Sequence, residues 1–386
     1  MGLTSKKLEL LVALLAVASF VGTIWLWPKL SARNWKALLG RIGTLLGSQL
    51  LSLMAIGLLA NNWGGFYSSF SDLFGTDQGP VPGIVDHTKP TSDGKGAGSV
   101  TPTGGAKPVA LQLGGAAAGA GGGSVEQVSI HGGTTGLTEP AYVYLPAAYK
   151  DPANAHKKFP VLVVFTGYPG TPENLISRMK YPTIAAQAIY QQKMPPTVMV
   201  LMRPSVAMPR DNECQDIPGG PQAQTFFAKD LHKALATQYN VATDGKAWGV
   251  LGDSTGGYCA LSLAMREPNS FTAAASLSGY YKAAEDSTTG DLFGGSQDLR
   301  NQADLLWRAK NLPGVPVSLL VTSSKTEFDY KATQAFIKAV SAKPPYAISS
   351  LFLDSGGHNF NTWNQETPQA LPWVASKLSV PGNAGA

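Results

Sequence analysis

The chain opens with two long apolar stretches and later changes to short apolar runs separated by turns. Leu8 to Trp27 carries a single charge, Glu9, and stops at Pro28. About 20 residues suffice for a helix to cross a bilayer. Ile42 to Trp63 is uncharged and carries Gly43, Gly47, Ser48, Ser52 and Gly57 at spacings that suit helix–helix contact. From Gly75 to Gly123 the pattern fades into Gly, Pro and Ala without Phe, Trp or Tyr. Such a segment cannot bury enough surface to offset its ordering entropy, and it is predicted to be a flexible tether. His87 falls in it and is assigned no chemistry. Order resumes near Val125. Alternation over Val125–Ile130 and Ala141–Leu145 predicts a strand pair. A continuous apolar run at Val161–Phe165 predicts a strand buried on both faces, Thr197–Met202 reads as another buried strand, and Trp248–Leu251, Phe271–Gly279, Val317–Thr322 and Ser349–Asp354 read as further strands. Helical patterning falls between them, at Asn174–Met179, Phe226–Tyr239, Ala260–Met265 and Thr333–Ser341. This alternation implies an α/β domain, a mostly parallel sheet with helices on both faces. The chain thus divides into an anchor over 1–74 with spans at about 8–27 and 42–63, a tether over 75–123, a folded domain over 124–381 and a tail over 382–386.

Charge orients the anchor. Lys29, Arg33, Lys36 and Arg41 lie between the two spans without an acidic residue, whereas Asp72 and Asp77 follow the second. The positive-inside rule then puts the short connection in the cytoplasm and everything after Trp63 outside. Ala16-Val17-Ala18 resembles a signal-peptide cleavage site, but the apolar run continues past it and a second span follows, so both are expected to be retained. The net charge of +5 includes no basic run longer than Lys157-Lys158, which excludes a nucleic-acid footprint. The two cysteines, Cys214 and Cys259, fit no metal spacing, and neither a metal nor an organic cofactor is implied. Both should lie at the carboxyl edge of the sheet, where a disulfide between them is feasible and would agree with an oxidising exterior.

The candidate chemistry centres on Gly252-Asp253-Ser254-Thr255-Gly256, between an apolar run and a helical one. A G-x-S-x-G turn in strand–turn–helix context lifts its serine out of the sheet, and glycines on either side remove Cβ clashes. A serine hydroxyl needs an adjacent base. Of the five histidines, only His358 follows a predicted strand in a glycine-flanked loop C-terminal to Ser254. His131, His156 and His232 are read as surface or satisfied polar positions. An acid to orient the imidazole should follow the preceding strand, where Glu327 and Asp329 serve equally well by residue type. The oxyanion needs two donors: the Thr255 N–H is one, and the Gly167-Tyr168-Pro169-Gly170 turn offers Tyr168 or Gly170, with Tyr168 favoured.

Three segments carry a resemblance: Gly252 to Tyr258, Ala275 to Tyr281, and Gly356-Gly357-His358-Asn359-Phe360. Together they resemble the Putative esterase family of α/β-hydrolases, which includes esterase D, feruloyl esterases and the actinobacterial mycolyltransferases. The anchored layout is similar to that of uncharacterised actinobacterial esterase-like proteins. The likeness covers about Val125 to Leu378. It implies an α/β-hydrolase fold with Ser254 as nucleophile, His358 as base, Glu327 rather than Asp329 as the acid, and an oxyanion contribution from Tyr168. It departs from the family at Thr166-Gly167-Tyr168-Pro169-Gly170, where esterases frequently have His-Gly-x-x-Gly. The expected activity is cleavage of a carboxylic ester outside the cytoplasm, on a substrate such as an envelope lipid or glycoconjugate. The alternatives are acyl transfer to a sugar hydroxyl and, in another class, a non-catalytic hydrolase fold that binds envelope ligands.

Overall fold

The two apolar stretches are helices, α1 (Lys6–Leu26) and α2 (Trp35–Gly64). Helix α2 starts at Trp35, not at Ile42, because Asn34 Oδ1 accepts the Ala37 N–H at 2.8 Å and caps it. In this computed structural model the described residues are 3, 5–64, 67, 70–74, 85–86, 99–109, 111–113, 116–118 and 121–380. The chain forms two units. One gathers Met1–Gly79 with Ser324–Phe328 and Asp354–Thr362; the other comprises the remainder.

In the first unit α1 and α2 pack along Val12, Ala16, Ala55 and Leu58, and the Thr23 hydroxyl donates to Thr44 O at 3.2 Å. Of the small residues expected at the helix–helix contact, Ser48 is buried, whereas the three glycines are off it. A Cβ at Gly43, Gly47 or Gly57 would meet nothing within 4 Å, because these residues lie off the stripe that faces α1. Leu10, Leu14, Phe20 and Ile24 on α1 and Leu46, Leu50, Leu53 and Ile56 on α2 are exposed. Only 11% and 17% of the most apolar windows are buried, so neither helix is a protein-core helix.

The second unit is built on an eleven-stranded mixed sheet. Its strands are β1 (Val85–Asp86), β2 (Ser99–Pro102), β3 (Lys107–Pro108), β4 (Ser124–His131), β5 (Thr138–Leu145), β6 (Val161–Phe165), β7 (Val198–Met202), β8 (Trp248–Asp253), β9 (Ala273–Leu277), β10 (Ser318–Ser324) and β11 (Ala347–Leu353). The spatial order is β1-β11-β10-β9-β8-β6-β7-β5-β4-β2, with β3 also on β4. Strands β7, β6, β8, β9 and β10 run parallel, whereas β5, β4 and β2 are antiparallel. Every residue of β6, β7, β8 and β9 is buried, as the unbroken apolar runs of β6 and β7 require, and Asp253 and Ser276 are the buried polar members of β8 and β9.

Part of the segment expected to be a tether is sheet. Strands β2 and β3 pair antiparallel with β4 and bury Val100, covering backbone groups that β4 would otherwise expose at an edge. Leu111–Leu113 and Ala116–Ala118 form a separate hairpin, and His87 lies outside the described residues.

The helical run at Phe226–Tyr239 forms in two parts, a π-helical turn at Phe226–Asp230 and then a helix at Leu231–Gln238. In the turn, the Asp230 carboxylate accepts the N–H groups of Thr134 and Thr135 at 2.9 and 2.8 Å. His232, expected at the surface or among polar partners, is buried instead. Its ring stacks on Trp248 with centroids 3.6 Å apart, and Nε2 has no hydrogen-bond partner among the described residues. Burial pushes its pKa down to about 3, so it packs as a neutral aromatic ring. Cys214 and Cys259 form the disulfide that the sequence made feasible, with Cα atoms 5.9 Å apart. It ties the segment after β7 to the helix after β8.

Two outcomes follow. The unfolded state takes up a proton at His232 near pH 6.5, while the folded state resists until about 3. Stability is therefore full above pH 6.5 and falls as pH drops below it, by up to roughly 1.4 kcal/mol per unit from this residue. His232→Phe should flatten that part of the pH–stability curve in chemical denaturation; an unchanged slope would contradict the burial. The oxidised, denatured full-length chain should show no free thiols. Closing a loop across a separation of 45 residues, the disulfide should contribute about 2–4 kcal/mol, lost in the double Cys→Ala variant.

Candidate active site

Strand β8 lies between β6 and β9, parallel to both, and the chain reverses at its carboxyl end. Ser254 makes that reversal with φ 53° and ψ −121°, a left-handed conformation that a residue with a side chain rarely adopts. The next helix, α3 (Thr255–Arg266), starts at once. Two close approaches make the turn possible. A Cβ at Gly252 would lie 2.4 Å from the Gly256 carbonyl carbon, and one at Gly256 would lie 2.7 Å from Phe165 O. The Ser254 N–H donates to Leu277 O at 3.0 Å, which ties the turn to the end of β9.

The loop after β6 is held against the same turn. Asp253 is buried, and its Oδ2 accepts the Gly167 N–H at 2.9 Å. A Cβ at Gly167 would lie 3.0 Å from Ser254 Cβ, so this backbone passes directly beside the serine. The Gly170 N–H donates to Gly167 O at 2.8 Å, and Pro169 has no N–H. Of the two donors weighed from sequence in this turn, Gly170 is therefore engaged, while the Tyr168 N–H has no acceptor among the described residues. The Tyr168 hydroxyl donates to Pro209 O at 2.5 Å. The N–H of Thr255, first residue of α3, has no intrahelical acceptor by position and sits at the positive end of the helix dipole.

In the first unit, Glu327 and His358 meet. Nδ1 of His358 is 2.9 Å from Glu327 Oε1, with the Glu327 side chain 1% and the His358 side chain 16% exposed. The loops are laced together around this pair. Gly356 O accepts from the Ser324 hydroxyl at 2.6 Å and from the Thr326 hydroxyl at 2.8 Å, and the Gly356 N–H donates to Thr326 Oγ1 at 3.1 Å. Gly356 has φ 150°, and a Cβ there would meet Thr362 Oγ1 at 2.7 Å. With Nδ1–H donated to the carboxylate, the imidazole lone pair resides on Nε2. Asp329, the alternative acid, instead precedes the helix at Tyr330–Ser341, where its carbonyl accepts the Thr333 N–H at 2.9 Å.

Two buried acids had no role in the reading from sequence. Asp253 sat inside the motif but was not distinguished from a spacer, and Glu213 was seen only as a neighbour of Cys214. The first could have been noticed as a charged residue at the end of an otherwise apolar strand. The second is recognisable only from its partner, Tyr280, which lies 67 residues away.

Residues 134–377 match the sequence pattern of the family described as "Putative esterase". An uncharacterized protein of Corynebacterium glutamicum is 26% identical over 274 residues, 66% of this chain and 62% of that protein. The MPT51 antigen of Mycobacterium leprae is 33% identical over 120 residues, 29% of this chain and 39% of that protein. The chain thus spans less than two thirds of the length of either relative. An S-formylglutathione hydrolase from Agrobacterium tumefaciens shares the fold, with a TM-score of 0.56 at 16% identity over 68% of this chain and 98% of that one. The family match covers more than half of the sequence and every strand from β5 to β11. The chain belongs to the Putative esterase family and has the α/β-hydrolase fold.

Proposed function

We propose that the chain is a membrane-anchored, extracytoplasmic serine hydrolase that cleaves a carboxylic ester through an acyl-enzyme on Ser254. The observation that carries this reading is the 2.9 Å pair of Glu327 and His358, in loops that follow two strands C-terminal to the elbow. The chain order nucleophile, acid, base is that of α/β-hydrolases. Ser254 Oγ attacks the ester carbonyl as His358 Nε2 takes its proton. Glu327, buried and bonded to Nδ1–H, fixes the tautomer and stabilises the imidazolium. Negative charge developing on the carbonyl oxygen is met by the N–H groups of Thr255 and Tyr168. The leaving alcohol departs with the proton from His358, and water, activated by the same imidazole, releases the acid and restores Ser254. A sugar hydroxyl in place of that water would make the reaction an acyl transfer.

The location rests on the hairpin and on the disulfide. Both helices are long and apolar enough to span a bilayer, and their outer faces are apolar. At the connection between them, Lys29 lies 3.1 Å from the centroid of Trp25, and Arg41 lies 5.7 Å from that of Trp27. Such aromatic–cation pairs suit an interface, and the excess of positive charge supports a cytoplasmic position for this end. The Cys214–Cys259 bond fits an oxidising compartment on the other side.

With full-length protein in detergent micelles and p-nitrophenyl esters of increasing chain length, the wild type should turn over ester. Ser254→Ala and His358→Ala should each lose about 10⁴-fold in kcat or more, and Glu327→Gln about 10³-fold. Asp329→Asn should stay within about threefold. A mild Glu327→Gln with a severe Asp329→Asn would overturn the acid assignment. Adding a sugar acceptor to the same assay distinguishes transfer from hydrolysis by the product formed. For topology, a membrane-impermeant thiol reagent applied to spheroplasts should label a Lys150→Cys variant and spare a Ser31→Cys variant. The reverse pattern would invert the orientation.

A further inference from the structure

The segment between β7 and the π-helical turn passes through two consecutive left-handed residues that are not glycine, Glu213 (φ 50°) and Cys214 (φ 51°). Such a conformation is strained for a residue with a side chain and persists only where its surroundings dictate it. Here the surroundings do so at several points. Cys214 is bonded to Cys259 of α3. Asp211 Oδ1 accepts the Ser205 hydroxyl at 2.5 Å and the Glu213 N–H at 3.0 Å, and the Asp211 N–H donates to Thr288 O at 3.1 Å. Gln215 Nε2 donates to Glu213 O at 2.7 Å. The consequence of this strained turn is to place one side chain, Glu213, inside the protein at 1% exposure.

Its Oε1 is hydrogen-bonded to the Tyr280 hydroxyl. That hydroxyl also lies 3.1 Å from Thr255 Oγ1. The Tyr280 ring stacks on Tyr258 of α3 with centroids 5.2 Å apart and planes 12° apart, which sets where the hydroxyl can be. An unbroken chain of polar atoms therefore runs from Glu213 through Tyr280 to the residue that follows Ser254. We propose that Glu213 and Tyr280 are positioning residues that hold Thr255, and with it the oxyanion-binding N–H, in register with Ser254. This rests on the serine-hydrolase reading above.

The physical need arises at Ser254. Its left-handed backbone is strained, and the peptide unit joining it to Thr255 could relieve that strain by rotating, which would swing the Thr255 N–H away from the carbonyl oxygen. Anchoring the Thr255 side chain opposes the rotation. The chain works with Glu213 as a neutral acid. The Tyr280 hydroxyl has one proton and cannot donate to Glu213 and Thr255 together. The Thr255 hydroxyl supplies the second hydrogen by donating to the Tyr280 oxygen, and a protonated Glu213 carboxyl lets the chain run in the opposite direction as well. An ionised carboxylate would leave a buried charge whose Oε2 has no hydrogen-bond partner among the described residues. Its neighbours Asp211 and Asp286 are both acidic and oppose the charge, whereas the Tyr280 hydroxyl and the Ala284 N–H favour the anion. Burial, and after it Asp211, hold this carboxyl well above the usual carboxylate range.

The test uses the full-length chain in detergent micelles with a short p-nitrophenyl ester. Tyr280→Phe, which removes one oxygen from a buried ring, and Glu213→Ala should each lower kcat by about tenfold or more while KM moves less than about threefold. Glu213→Gln is neutral and keeps both a donor and an acceptor, so it should retain kcat within about threefold. Infrared spectra of the wild type at neutral pH should contain a protonated-carboxyl band that Glu213→Gln lacks. Absence of free thiols in each variant confirms that the Cys214 turn is intact. An active wild type with Tyr280→Phe unimpaired, or a Glu213→Gln as damaged as Glu213→Ala, overturns this proposal alone. A wild type that turns over no ester overturns the serine-hydrolase reading and this proposal with it.

Discussion

The turn at Ser254 can close only because positions 252 and 256 carry no side chain. With any Cβ there, backbone atoms would approach to 2.4 and 2.7 Å, and the serine could not adopt φ 53° between β8 and α3. Around this one steric constraint the second unit arranges its polar groups. Asp253 draws the loop after β6 toward the serine through the Gly167 N–H, and the end of β9 accepts the Ser254 N–H. Cys259, one helical turn beyond the elbow, is bonded to a segment that enters from β7. The Tyr280 hydroxyl reaches Thr255 from the loop after β9. Four strand ends thus converge on one residue. In a mostly parallel sheet this is where loops can gather without any strand being interrupted.

Much of this was legible locally. Unbroken apolar runs identified β6 and β7 because a strand buried on both faces has no polar side to alternate with. The elbow was legible because its steric requirement is written as glycine at fixed offsets. The choice between Glu327 and Asp329 was not legible from residue type, and only the family resemblance pointed to Glu327. Both are carboxylates in one loop, and only the fold sends the first to the imidazole and the second to the start of the next helix. Long-range pairing was equally hidden. Ser99–Pro102 has no strand signature of its own and becomes sheet because β4 offers an open edge. His232 reads as a polar residue on a helix until Trp248, sixteen positions on in the sequence, is found stacked against it. In α2, Ser48 is buried, but a Cβ at Gly43, Gly47 or Gly57 would meet no neighbour within 4 Å.

The buried acids use one chemistry in three ways. Asp253 accepts a backbone N–H and works as a strut. Glu327 accepts the Nδ1–H of an imidazole and is suited to stabilising a cation that forms beside it. Glu213 faces a hydroxyl and two acidic neighbours, an environment that favours the neutral form. Residue type does not distinguish these roles; the donors that each carboxyl meets do. The same argument explains why His358, beside a carboxylate, and His232, beside indole and phenyl rings, are such different groups.

The central claim is that Ser254 is the nucleophile, activated by His358. Its most direct test is to treat the folded full-length chain with a fluorophosphonate and locate the adduct by peptide mass spectrometry. A single adduct on Ser254, abolished in His358→Ala and by prior denaturation, is the predicted result. An adduct on another residue, or none on folded wild-type protein, would contradict the account.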